Sequence, residues 1–270
     1  MTDESAKLQL TVLGCGSSPG VPRLNGDWGN CDPNNPKNRR MRASLLVERI
    51  TKQGRTTVVI DTGPDFRAQM LLAGVTQLDG VVYTHGHADH IHGIDDLRTF
   101  VFTSGHLMPV YADDTTFNRL REGFGYCFET PEGSSYPPTL KPHRIAHEKA
   151  FSIEGQGGHL TFQPLYQRHG SIHSLGFRIG DVAYCPDVSA IPDDTTAQMQ
   201  NLDVLIIDAL QYREHVSHFS IAQAINFIDQ LKPKRAYLTH MHIPLDYETV
   251  QKETPDHVQP CYDGLVIEVE

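Results

Sequence analysis

The stretch VVYTHGHADHIHG (residues 81–93) places His85, His87, Asp89 and His90 within six positions at the end of an apolar run. All four side chains are competent metal ligands, and that density dictates the local backbone. In an extended loop residues two apart face the same way, so His85 and His87 can grip one ion. Asp89 and His90, at the entrance of a following helix, can face a neighbouring ion. Asp89 alone would pass for a helix N-cap. Four such residues together argue instead for a strand that ends in a metal-binding loop and turns into a helix. His92 falls outside the set.

The flanking pattern supplies the rest of an α/β chain. LQLTVLG (8–14), ASLLVERI (43–50), TTVVID (56–61) and GVVYTH (80–85) are short, rich in β-branched residues and bounded by polar or turn residues, so they read as strands. Between the last two, PDFRAQMLLAGV (64–75) puts Phe66, Met70 and Ala73 on one helical face. Further helices are expected from Asp89 to about Phe102, from Asp113, over 192–201 and over SIAQAINFIDQLKP. Further strands are expected at MPVYAD, TFQPLYQ, DVLIID, RAYLTH and GLVIEVE, with a hairpin in LGFRIGDVAYCPD turning at Gly180-Asp181. Residues 130–160, rich in Pro and Gly, read as a long irregular excursion and a candidate source of substrate selection. No linker divides the chain, so residues 1–270 are expected to form one domain, with two sheets and helices outside.

Composition narrows the class. With 270 residues and 39% hydrophobic content the chain can bury a sizeable core, which excludes a disordered segment. No apolar run approaches the roughly 18 to 20 residues of a spanning helix, so no membrane partner is expected. Five scattered cysteines without a CxxC fit free thiols in the cytoplasm, and the start MTDESAKLQL lacks the features of a signal peptide. The net charge of −10 disfavours a grip on long nucleic acid, which needs clustered Lys and Arg. Fifteen histidines direct attention to imidazole and carboxylate chemistry.

With its strand, loop and helix setting, the HxHxDH motif resembles that of the metallo-β-lactamase superfamily of hydrolases, and the resemblance extends over nearly the whole chain. It implies a four-layer αββα sandwich built from two similar halves, with a dinuclear metal site at one edge. It also implies further ligands. Asp61, in VVIDTG, matches an early Asp that orients the metal site through hydrogen bonds. His169, in YQRHGSIH, is preferred to His173 as the next histidine. Asp187, in VAYCPDVS, matches the carboxylate that bridges two ions, and His240, in RAYLTHMH, the last metal histidine. Asp181 is better read as a hairpin turn, Asp193 and Asp194 as a helix start, and Cys185 as a buried thiol. The expected set is therefore His85, His87 and His169 on one ion, Asp89, His90 and His240 on the other, with Asp187 between them and Zn or Mn as the metal. His242 is expected to touch substrate or to support the ligands.

LGCGSSPGVPRL, CDPNNPKNRRMRAS and EHVSHFSIAQAI resemble the phosphodiesterase branch of the superfamily, most closely its phosphoribosyl 1,2-cyclic phosphate phosphodiesterases and more distantly ribonuclease Z. This implies hydrolysis of a small cyclic or nucleotide-like phosphodiester by a metal-bound hydroxide, with His218 as catalytic proton donor and His215 as its alternative. A homodimer is a weaker implication. The cysteine cluster that holds an extra structural zinc in the phosphonate-pathway enzymes has only Cys31 as a counterpart, so no third zinc is expected and the exact substrate does not transfer. Gly14, Gly16 and Gly20 could bring the first loop near a ligand or simply form turns. Arg39, Arg40 and Arg42 could meet phosphate or solvate a face, and Ser44 and the other hydroxyls carry no signal. The competing readings are a tRNA 3′-processing endonuclease, a thioester or lactone hydrolase, and a metal-binding protein without activity.

Overall fold

The computed structural model describes residues 6–269. Its first sheet holds β1 (Lys7–Gly14), β2 (Ser44–Thr51), β3 (Gly54–Ile60), β4 (Gly80–Val82), β5 (Met108–Ala112) and β6 (Leu140–Arg144). The second holds β7 (Phe151–Gly155), β8 (Gly158–His169), β9 (Ile172–Ile179), β10 (Val182–Cys185), β11 (Val204–Asp208), β12 (Arg235–Thr239) and β13 (Val258–Pro260). The last strand, β14 (Val266–Val269), returns to the first sheet. The orders are β14-β1-β2-β3-β4-β5-β6 and β13-β12-β11-β10-β9-β8-β7. Each sheet is antiparallel on one side and parallel on the other, the change falling at β3 and at β10. The two halves thus repeat one plan.

Alternation along the strands sorts side chains between layers. Leu45 and Val47 of β2 face the second sheet, joining Val58 and Ile60 against Phe162, Leu165, Leu175 and Phe177. Leu46 and Val59, one residue out of phase, face the helices α1 (Phe66–Ala73), α2 (Ala88–Ile91), α3 (Arg98–Ser104) and α4 (Asp114–Phe124). The second sheet is covered by α5 (Asp193–Ala197), α6 (Ile221–Leu231) and α7 (Tyr247–Glu253). In α6, Ser220 and Gln223 form a capping box, and Ile221, Ala224, Phe227, Ile228 and Leu231 bury one stripe. The outcome is the αββα sandwich. Removing a ring such as Phe162 or Phe177 from its centre would cost about 3–5 kcal/mol. Among the described residues no helix is long and apolar enough to cross a membrane.

Several local expectations need correction. The strand expected over 80–85 ends at Val82, because Thr84 turns its N–H to the Asp61 carboxylate rather than to a neighbouring strand. The helix expected from Asp89 to Phe102 is broken into α2, a 3-10 turn at Ile94–Leu97 and α3. Only Asp193–Ala197 of 192–201 is helical. On α1 the third buried residue is Gln69 rather than Ala73, its amide donating to the Arg42 carbonyl. Residues 130–160 are irregular only in part, over 130–139 and 145–150, since β6, β7 and the start of β8 interrupt them, with β6 and β7 at the outer edges of the two sheets.

Candidate metal centre

The fold gathers the candidate residues at the carboxyl ends of its parallel strands. Asp61 follows β3, His85 to His90 follow β4, Asp187 follows β10 and His240 follows β12, while His169 ends β8. Close backbone packing makes this possible. A Cβ on Gly63 would lie 2.1 Å from the Asp89 carbonyl, and one on Gly93 2.3 Å from the Gly63 carbonyl. Only glycine lets the loop after β3 lie against the loop after β4. Asp61 and His240 are also two of four non-glycine residues with left-handed backbone among the described residues, at φ 65° and 57°. Such conformations cost of order 1–3 kcal/mol, and here they serve to aim a side chain.

Three imidazole nitrogens converge on one point. His87 Nδ1 lies 2.9 Å from His85 Nε2 and 3.2 Å from His169 Nε2. The other nitrogens of two of these rings have acceptors: His85 Nδ1–H donates to Thr84 Oγ1 at 3.0 Å and His169 Nδ1–H to the Ser217 carbonyl at 2.6 Å. Their inward nitrogens therefore present lone pairs, which cannot hydrogen-bond to one another but can share a cation. Asp187 Oδ2 stands 3.9 Å from His85 Nε2 and 3.7 Å from His169 Nε2.

A second cluster adjoins the first. Asp187 Oδ1 lies 3.2 Å from both His90 Nε2 and His240 Nδ1, and Asp89 Oδ2 lies 3.4 Å from His90 Nε2. His90 Nε2, Asp187 Oδ1 and both nitrogens of His240 are buried without a hydrogen-bond partner. Leaving four such buried atoms unsatisfied is costly, and a divalent cation would satisfy them. The donor set of imidazoles with carboxylates suits Zn, Mn or Fe. The residues present thus fit a pair of ions, with Asp187 facing both clusters. Burial holds His85 and His169 below the usual imidazole range and His240 down at about 4, so these rings are neutral and ready to ligate. At His90 burial acts downward too, but Asp187, Asp89 and Asp61 outweigh it and raise the imidazole.

Supporting contacts fix the set. Asp61 is fully buried; its Oδ2 accepts from His90 Nδ1–H at 2.7 Å and from the Thr84 hydroxyl at 2.8 Å, and its Oδ1 from the Thr84 N–H at 2.8 Å. Asp61 therefore orients His90 instead of reaching the centre. Ser18 donates to Asp89 Oδ2 at 2.7 Å, bringing the glycine-rich first loop to the site. His218 Nδ1–H donates to Asp208 Oδ2 at 2.7 Å, and its ring stacks on His240 with centroids 4.8 Å apart. Burial opposes a charge on His218, but the hydrogen bond and charge of Asp208 outweigh it and raise the imidazole; burial pushes the Asp208 carboxyl itself up to about 7.

Of the other candidates, His215 lies beside His218, with ring centroids 5.3 Å apart, and the rest lie elsewhere. His173 Nε2–H donates to Asp113 Oδ2 at 2.6 Å, away from both clusters. His242 has both nitrogens occupied, accepting from Arg23 at 2.7 Å and donating to Ser17 at 2.8 Å, so it supports the first loop. His215 is exposed and contacts Ser217. Arg40 is buried on the Leu245 carbonyl and Asn38, Arg42 pairs with Asp65, and Arg39 lies over Trp28. Sequence reasoning missed Thr84, Ser18 and Asp208. A carboxylate ending the apolar run VLII was the available signal for Asp208; the two hydroxyls had none.

Comparison with known proteins places the chain in a family and a fold. Residues 56–241 match the family model described as a beta-lactamase superfamily domain. The octanoyltransferase of Porphyromonas gingivalis is 35% identical over 263 residues, which are 96% of this chain and 51% of that protein, so the chain spans about half the length of this relative. A crystal structure of a new diphosphatase from the PhnP family superposes with a TM-score of 0.87 at 36% identity, covering 97% of each chain. Zn(2+)-bound PqqB from Methylobacterium extorquens shares the fold, with a TM-score of 0.76 at 16% identity over 97% of this chain and 100% of that one.

Proposed function

The chain belongs to the metallo-β-lactamase superfamily of metal-dependent hydrolases, in its PhnP-like branch, and on that premise we propose that it hydrolyses a phosphodiester bond in a small cyclic or nucleotide-like molecule. The observation that carries the reading is the His218–Asp208 pair set against the double cluster around Asp187. Two ions, Zn or Mn, would be held by His85, His87 and His169 and by Asp89, His90 and His240, with Asp187 shared. When bound, such ions polarise a phosphoryl oxygen and lower the pKa of a water.

The protein's own groups supply the rest. The Asp208 carboxylate accepts the Nδ1–H of His218 and favours its imidazolium, whose Nε2–H can then pass to the departing oxygen and leave the neutral ring. Asp61 and Thr84 keep His90 and His85 in the tautomers that turn Nε2 inward. The likeness to a diphosphatase of the PhnP family supports phosphorus chemistry. We further read residues 1–270 as one catalytic domain, because its largest apolar cluster draws on both sheets, and we place it in the cytoplasm, because its five cysteines are free and buried.

The test is a substrate panel with enzyme loaded with Mn²⁺ or Zn²⁺. It comprises bis(p-nitrophenyl) phosphate, a nucleoside 2′,3′-cyclic phosphate, phosphoribosyl 1,2-cyclic phosphate, a dinucleoside diphosphate and an octanoyl thioester. Preference for one of the three phosphodiesters is the expected result, whereas preference for the dinucleoside diphosphate, whose scissile bond is a phosphoanhydride, would replace the reading with that of a diphosphatase. A second reading, hydrolysis or transfer at an acyl thioester, is favoured by the name of the Porphyromonas gingivalis relative. A thioester preference would replace the phosphodiester reading with that one.

A further inference from the structure

The two halves repeat more than a strand order. In the first, β3 leads into Asp61, and the parallel β4 leads into Thr84 and His85. In the second, β11 ends in Asp208, and the parallel β12 ends in Thr239, followed by His240. Each Asp binds Nδ1 of a histidine further along, His90 or His218, at 2.7 Å. Each Thr directly precedes a histidine of the metal clusters. In the first half the Thr84 hydroxyl donates to the Asp carboxylate.

The second half has the same parts with one bond unmade. Asp208 and Thr239 are paired residues across β11 and β12, so their side chains leave the sheet on the same face, side by side. Both are buried, at 0% and 1% exposure. Asp208 Oδ2 accepts from His218 and from the Val188 N–H, whereas Asp208 Oδ1 and Thr239 Oγ1 both lack a partner. An acceptor without a donor and a hydroxyl without an acceptor thus sit on adjacent strands in a region where every buried polar group needs one.

We propose that Thr239 is a positioning residue whose hydroxyl, directly or through one water, donates to Asp208 Oδ1 and so holds the His218 imidazole at the metal centre, as Thr84 does for Asp61 and His90. An Asp anchored through one oxygen can swing about its Cβ–Cγ bond and carry the imidazole with it. Anchored through both, it fixes the plane of the ring. The catalytic consequence rests on the phosphodiesterase reading; the hydrogen bond does not.

The experiment compares Thr239→Val, which keeps the branched shape and loses the donor, with Thr239→Ser, which keeps the donor. In the metal-loaded full chain, Thr239→Val should lower kcat on bis(p-nitrophenyl) phosphate roughly ten- to a hundredfold with KM and metal content held, and Thr239→Ser should keep most of it. Independently of turnover, the downfield proton resonance of His218 Nδ1–H, assigned by its loss in His218→Ala, should broaden or shift in Thr239→Val and persist in Thr239→Ser. Wild-type kcat and an unchanged resonance in Thr239→Val would overturn the proposal. So would equal impairment of both variants, which would make the effect one of shape, or loss of metal in Thr239→Val, which would route it through His240. Should no phosphodiester be hydrolysed by the wild type, the functional reading fails while the resonance still decides the bond.

Discussion

Two buried histidine–aspartate pairs flank the centre, with the same Nδ1 to Oδ2 distance of 2.7 Å and different surroundings. Asp61 is held through both oxygens by three donors, and His90 points its far nitrogen at Asp89 and Asp187. Asp208 is held through one oxygen, and His218 lies against the ring of His240 instead of facing Asp187 closely with a free nitrogen. Burial raises both carboxyls, against His90 and the Thr84 bonds at Asp61 and against His218 and the Val188 N–H at Asp208, which is pushed up to about 7. The lesson is that the pair itself is neutral as to role. Where the far nitrogen faces Asp89 and Asp187, the pair prepares a candidate metal ligand. Where the ring stacks on His240 and its Asp raises it, the pair can take up and release a proton.

Removing the metal is the strongest way to break this comparison. If the ligand assignment holds, chelation should lower turnover by several orders of magnitude and reloading with Mn²⁺ or Zn²⁺ should restore it, since in that assignment only the first pair has a cation at its far nitrogen. Next comes His218→Ala, for which a fall in kcat of roughly 10² to 10⁴ is expected while elemental analysis still finds both ions. Loss of metal in that variant would make the two pairs equivalent. Asp61→Asn should show the reverse pattern, with metal affinity weakened roughly 10- to 100-fold in a chelator competition and activity recovered at saturating metal. The smallest effect is expected for Asp208→Asn. It should lower kcat by about tenfold with unchanged metal affinity, since a neutral amide still accepts from His218 but no longer favours its charged form.

How much of this could be read beforehand follows from the range of each interaction. The candidate ligands of residues 85–90 announce themselves because their geometry is local. Asp61, His169, Asp187 and His240 lie far apart in sequence, but each sits at a strand end, so pattern and resemblance pointed to them. Thr84 was opaque although it adjoins His85: its hydroxyl acquires meaning only when Asp61 arrives from 23 residues upstream. Asp208 likewise read as the end of an apolar strand until His218 folds back onto it. Residues 130–160 misled for a different reason. Pro142 sits within β6, the terminal strand of the first sheet, where a missing N–H costs the ladder little.

The pairing of β14 with β1, which sets Val269 beside Leu8, has a consequence for how the chain comes off the ribosome. The second sheet is built from consecutive strands between Phe151 and Pro260 and can zip up by short-range steps. The first sheet cannot finish until its outermost strand has been synthesised. One flank of β1 therefore stays unpaired until β14 has followed the other strands, an open template for wrong partners until then. The earlier half is thus sealed only after every strand of the later half has been made.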